Sequence, residues 1–254
     1  MNNDPELFAE FNQSPQHNRS RALLEIFFAS GIVSGLLAQI ILPAISGKSI
    51  KQLTETNETV FNAHVLSVSM LLDAGITFVI LWIMLKMRGE TFSVLGLRRT
   101  RWKSDFFAGL VLAPALLLVN GVIGLFFQIF LPEHALDRNP LTEAIHSPEE
   151  LVLFIIVVVI AGGIREEVQR AFIFRRFCDG LGGEGVGLIL WSLGFGALHY
   201  VQGFQGVVVA TVLGFIFGVF YLMRRSLVGP ITMHAAYNTL VLLLYWFVFS
   251  NHAD

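Results

Sequence analysis

Apolar residues in this chain come in long, nearly unbroken runs rather than in the spaced stripe of a soluble amphipathic helix. Seven runs stand out, at 22–45, 65–85, 106–131, 151–177, 185–200, 206–223 and 228–249. A bilayer core needs about 20 apolar residues per helix. The pattern therefore predicts an all-α, polytopic transmembrane helix bundle of about seven spans, the fifth of them short. Basic residues punctuate alternate connections. Arg19 and Arg21 precede the first run, and Lys86, Arg88, Arg98, Arg99, Arg101 and Lys103 separate the second from the third. Arg175 and Arg176 follow the fourth, and Arg224 and Arg225 follow the sixth. Seven alternating spans place all four clusters on one side, while the opposite connections are acidic or mixed. Because Lys and Arg in short loops remain cytoplasmic, the N terminus is expected inside and the C terminus outside.

This frame divides the chain into a polar cytoplasmic segment (1–21), an N-terminal membrane region (22–146), a core (147–246) and a short end (247–254). Leu95-Gly96-Leu97-Arg98-Arg99 reads as a surface connector, and Asn57-Glu58-Thr59 is a glycosylation triplet. No internal repeat or second domain is visible. Of the 254 residues, 54% are hydrophobic and only 14% charged, against about 25% charge in soluble domains. Mean hydropathy is +0.66. The expected partners are the lipid bilayer and a peptide or protein substrate. A formal net charge of -2 without a basic patch points to no nucleic-acid binding. Cys178 is the only cysteine, so neither an internal disulfide nor a thiolate metal cluster can form within one chain. The first residues lack the basic-then-apolar order of a cleavable signal. The first span is thus expected to direct its own insertion, and the short loops favour a plasma-membrane location.

Charge at membrane depth is costly, at least ~2.5 kcal/mol per group near a helix centre. Arg165, Glu166, Glu167 and Arg170 close the apolar run of the fourth span and need a reason to be there. Residues four apart share a helix face, so Glu166 stacks with Arg170, and Glu167, three before it, can reach it as well. Adjacent glutamates point about 100° apart, so one faces the bundle squarely and the other takes a different partner. Phe195 and His199 share a face on the fifth span, as do His234 and Asn238 on the last. His and carboxylate are the ligand types of a catalytic zinc site, and equally the types that activate a water by general-base catalysis. An Asn or Arg can stabilise the resulting oxyanion. His234 reaches the level of the glutamates only if Gly229-Pro230 starts its helix inside the bundle. Glu25, four after Arg21, reads as a snorkelling ion pair. Asp73 lies mid-span with no partner that the sequence names. Gly194, Gly196, Gly214 and Gly218 read as close-packing positions.

Glu-Glu with a following Arg, then Phe-x-x-x-His, then His-x-x-x-Asn, on successive helices, resembles the CPBP (CAAX protease and bacteriocin-processing) intramembrane protease family. The resemblance covers roughly 147–246. It implies that Glu166 or Glu167, with His199, activates a water, that His234 and Asn238 complete the site, and that Arg170 orients a carboxylate or the substrate. The first motif departs from the family spacing of Glu-Glu-x-x-x-Arg, because only two residues separate Glu167 from Arg170. The reading is an intramembrane endopeptidase, with a divalent metal such as Zn2+ expected on His199 and His234. Its alternatives are a non-catalytic scaffold or immunity-type protein of the same fold, and a small transporter. Against the transporter, neither an inverted repeat nor paired broken helices are present.

Overall fold

A computed structural model of the chain describes residues 19–46, 62–97, 101–136, 139 and 141–249. Most of the polar N-terminal segment, the Asn57 triplet, Arg98 and Arg99 lie outside the described residues. Among those described, every regular element is helical and none is a strand. The elements are α1 (Arg19–Ala29), α2 (Ile32–Ser46), α3 (Ala63–Met87), α4 (Trp102–Phe130) and α5 (Pro148–Val157), then a widened π segment (Val158–Arg165) leading into α6 (Glu166–Phe177). After these come α7 (Gly183–Ala197), α8 (Gly203–Arg224) and α9 (Val228–Leu244).

Among the described residues, five helices are long and apolar enough to cross a membrane: Arg19–Ile45, Ala63–Met87, Trp102–Phe130, Tyr200–Arg224 and Val228–Val248. The sequence expectation of about seven spans is met only this far. The other two rods fall short for different reasons. The rod 148–177 carries too many charged groups, and α7, with 15 residues, rises about 22 Å against a hydrocarbon core of about 30 Å.

Local chemistry sets the helix ends. The Asn62 Oδ1 accepts from the backbone N–H groups of His64 and Val65, and the Ser147 Oγ accepts from that of Glu150, with Pro148 in the first turn. The α6–α7 turn needs a left-handed backbone at Gly180, Gly182 and Gly183, where φ is 85°, 98° and 82°. α9 lies along α4 and the π segment, α7 packs between α6 and α8, and α2 packs on α3. Gly214 and Gly218 admit the Phe195 and Leu188 side chains of α7 against the backbone of α8, as their spacing predicts. Many large apolar side chains, among them Val111, Leu118 and Val122 on α4, point outward. Such a surface is consistent with contact with lipid.

At one end of the bundle the basic clusters meet acids. Glu25 pairs with Arg21 at 2.9 Å, as its spacing predicts, but it is buried at 6% exposure and also binds Arg88 and Arg176 at 2.9 and 2.8 Å. It faces inward on α1, where one exposed arginine could not offset its desolvation. Glu90 accepts from Arg175 and Arg176 at 2.5–2.8 Å, Asp179 accepts from Arg88, Asp105 from Arg224 and Glu184 from Arg225. Burial pushes the Glu90 carboxyl up, but the hydrogen bonds and charges of Arg176 and Arg175 outweigh it and hold the group below its ordinary value of 4.5.

A folded-state value below the unfolded one stabilises at pH above the ordinary value and is lost as pH falls through the folded value. Thermal unfolding of the detergent-solubilised protein should therefore show an acid-side loss of stability that Glu90→Gln flattens. An unchanged acid limb in the variant would refute the assignment. In Gly109→Ala the added methyl would meet the Gly229 carbonyl oxygen, a backbone atom that cannot rotate away. That variant should lose about 1–3 kcal/mol of stability in the same measurement.

Candidate active site

The site is assembled by a close approach of α9 to the π segment. A Cβ on Gly163 would lie 2.7 Å from the Ala235 Cβ, and one on Gly162 would lie 2.6 Å from the Asn238 Nδ2. Two adjacent glycines thus let α9 rest on backbone, and the widened turn there has the form that π segments often take at functional sites. The start of α9 is buried. The Leu227 N–H donates to the Gly96 carbonyl, and Gly229 and Pro230 lie inside the bundle. The helix therefore begins within the protein interior, and His234 comes level with the glutamates.

Glu167 and Arg170 are each 1% exposed and form an ion pair. The other partner of Glu167 is His234, whose Nδ1 lies 2.7 Å from the Glu167 Oε1. Phe217 stacks on the His234 ring at 4.3 Å between centroids, and the Arg170 guanidinium sits over both Phe195 and Phe217. The stacking expected between Glu166 and Arg170 is absent. The three-residue spacing wins because Glu167 and Arg170 are both sealed in the core, where each needs the other, while Glu166 turns elsewhere.

Glu166 turns into a cavity of about 200 Å³ that is also lined by His199, His234 and Asn238. Its carboxylate lies 3.8 Å from the His234 Nε2 and 3.6 Å from the Arg165 guanidinium. Arg165 is itself ion-paired with Asp73 on α3, and the Asp73 Oδ1 accepts from the Ser34 hydroxyl at 2.5 Å. Asp73 thus has the partner that the sequence could not name. Gln169 extends this layer, donating to the Ala29 carbonyl that the break at Ser30–Gly31 leaves open. His199 sits where α7 ends. Its Nδ1 lies 2.7 Å from the Phe195 carbonyl oxygen, so the nitrogen donates there and the Nε2 is left as a base.

Of the six site residues expected from sequence, the structure brings Glu166, His199, His234 and Asn238 to one cavity. Glu167 and Arg170 stand behind it. Sequence reasoning missed the pairing of Arg165 with Asp73 and the cavity pair Asn120–Tyr237, whose side chains are hydrogen-bonded at 3.0 Å. A mid-span acid demands a cation, and that was the available signal for Arg165. Among the described residues, no three His, Cys, Asp or Glu side chains gather as metal ligands. The His234 Nδ1 is held by Glu167, which leaves its Nε2 facing the Glu166 carboxylate across 3.8 Å.

Residues 148–240 match the family model described as Rce1-like: Type II CAAX prenyl endopeptidase Rce1-like. This is the CAAX protease family that the three motifs resemble. No curated protein and no solved structure matches significantly.

The buried and the cavity-facing glutamate should separate by stability. Glu167→Ala leaves Arg170 buried without its carboxylate and should cost about 3–5 kcal/mol. Glu166→Gln should stay within about 1 kcal/mol of the parent in the same unfolding assay. Equal losses would show that the two share one structural role.

Proposed function

We propose that the chain is an intramembrane endopeptidase of the CAAX-protease type in which Glu166 is the general base. The observation that carries this reading is the convergence of Glu166, His199, His234 and Asn238 on one cavity within a bundle whose 148–240 segment matches a protease family. Glu166 takes a proton from a water held between it and a histidine Nε2. The water oxygen attacks the scissile carbonyl carbon, and the carbonyl oxygen gains the negative charge. The Asn238 amide donates to that oxygen. Collapse of the intermediate breaks the C–N bond, and the proton taken by Glu166 passes to the leaving amine. Glu167 and Arg170 do not touch the substrate in this scheme. They hold the His234 ring in one tautomer and one orientation, with the Nδ1–H on Glu167 and the Nε2 toward the cavity.

The protein is read as multi-pass, with its basic end in the cytoplasm. A divalent metal on His199 and His234 is the remaining form of the family chemistry. No step above is routed through it, because the donor set does not gather a third ligand. A specific observation supports the scaffold alternative. The first motif is one residue short, and its arginine is committed to Glu167.

The test is cleavage by the full-length protein in liposomes, with farnesylated C-terminal peptides and unmodified apolar peptides offered side by side and products read by mass spectrometry. Glu166→Gln should lower the rate by about 10²–10⁴-fold, and Asn238→Ala by about 10²–10³-fold. Full activity in Glu166→Gln would remove the base assignment and favour the scaffold. Chelation should leave the rate unchanged. About one zinc per chain, lost in both His199→Ala and His234→Ala, would reinstate the metal reading.

A further inference from the structure

The two ends of the molecule differ in charge. Arg88, Arg175, Arg176, Arg224 and Arg225 gather at one end with Glu25, Glu90, Asp179, Asp105 and Glu184. Lys86 and Lys103 lie over the Trp82 and Trp102 rings at 5.0 and 5.7 Å, the aromatic-and-cation pairing of a membrane–water boundary. At the other end the described part of the connection from α4 to α5 carries Glu133 and Glu143, and α5 opens on Glu149 and Glu150. Short basic loops stay in the cytoplasm, so the charge pattern assigns the arginine-rich end to that side.

The cavity runs away from this basic end. Between Glu166 and the arginine cluster stands a dry core that includes Leu85, Phe172, Phe174, Trp191 and Tyr221. In the other direction the cavity wall continues through Asn120, Gln202 and Gln205 to Asn139 and Thr142 on the α4–α5 connection. Gln205 already accepts a backbone N–H there, that of Leu136, at 2.8 Å. These wall residues are amides and a hydroxyl, and none is charged. They suit the N–H and C=O groups of a peptide backbone, which need partners once they leave water.

We infer that the site is entered from the non-cytoplasmic face, and that its substrate is an uncharged, extended peptide segment that has already crossed the membrane or lies at its outer surface. The substrate half of this inference rests on reading the cavity as a protease site. The side of entry does not, and it can be measured without turnover.

Cys178 is the only cysteine, so Cys178→Ser provides a clean background. In that background Asn139→Cys and Gln202→Cys mark the outer wall of the cavity, Val209→Cys marks its interior, and Arg101→Cys marks the basic end. Full-length variants are placed in right-side-out and in inverted bacterial membrane vesicles and treated with a membrane-impermeant maleimide. The three cavity cysteines should be alkylated in right-side-out vesicles and protected in inverted ones, with Arg101→Cys showing the reverse. Modification of Val209→Cys only in inverted vesicles overturns the inference. So does protection in both orientations when the same cysteine reacts in dissolved membranes. Two wall positions guard against one variant that fails to fold. Adding Glu166→Gln should leave the labelling unchanged, so loss of the hydrolase reading and loss of the entry side are separate results.

Discussion

Glu167 is a carboxylate with almost no access to solvent, and the architecture around it follows from that constraint. An isolated charge at such a position would be prohibitive, so it must be met by a cation and by hydrogen-bond donors. Arg170 comes from the same helix and supplies the cation. His234 comes from α9 and supplies the donor. For that donor to arrive, α9 must begin inside the bundle and lie against backbone, which requires both the buried Gly229-Pro230 start and the glycines at 162 and 163. The same contact turns the second nitrogen of His234 toward Glu166. One buried carboxylate thus fixes the ring that faces the cavity.

The remaining charges at depth are handled in the same manner but on different helices. Arg165 is shared between Asp73 and Glu166, and Ser34 donates to Asp73. This joins α2 and α3, which lie outside the family-matching segment, to the wall of the cavity. The N-terminal helices are therefore more than a membrane anchor for the core, since they hold the cation beside Glu166. The arginine cluster at the basic end is larger and serves a different purpose. It ties the ends of α1, α3 and α6 together, so the rod carrying the glutamates is held at both its middle and its end.

The helices were legible in the sequence because an apolar run of membrane length has few other stable fates in lipid. The span count was less legible. The rod 148–177 is apolar as far as Ile164 and charged beyond it, and α7 is shorter than a bilayer is thick, so hydropathy and geometry disagree on both. Within the site, His199, His234 and Asn238 were visible as polar positions on apolar helices, and the structure brings them together. The choice between Glu166 and Glu167 was not visible. Helical spacing allows Arg170 to reach either, and the widened turn before them breaks the 3.6-residue phase that would carry the facing direction forward from 151. The partner of Asp73 was hidden for a simpler reason. It lies on a distant helix, and a single sequence holds no record of that proximity.

The break at Ser30–Gly31 bears on how the chain is built into a membrane. It leaves the Ala29 carbonyl without its helical partner, and Gln169 fills that place from the fourth rod. During synthesis α1, α2 and α3 are made first. The open carbonyl and Asp73 are therefore already made when the rod bearing Arg165, Glu166, Glu167 and Arg170 emerges, the segment least able to partition into lipid alone. The partners of Arg165 and Gln169 thus lie on helices that precede them in the chain. The partner of Glu167 arrives only with α9, so until then the nascent protein holds a carboxylate served by Arg170 alone. Translation order thereby makes the last helix the step that closes the polar interior.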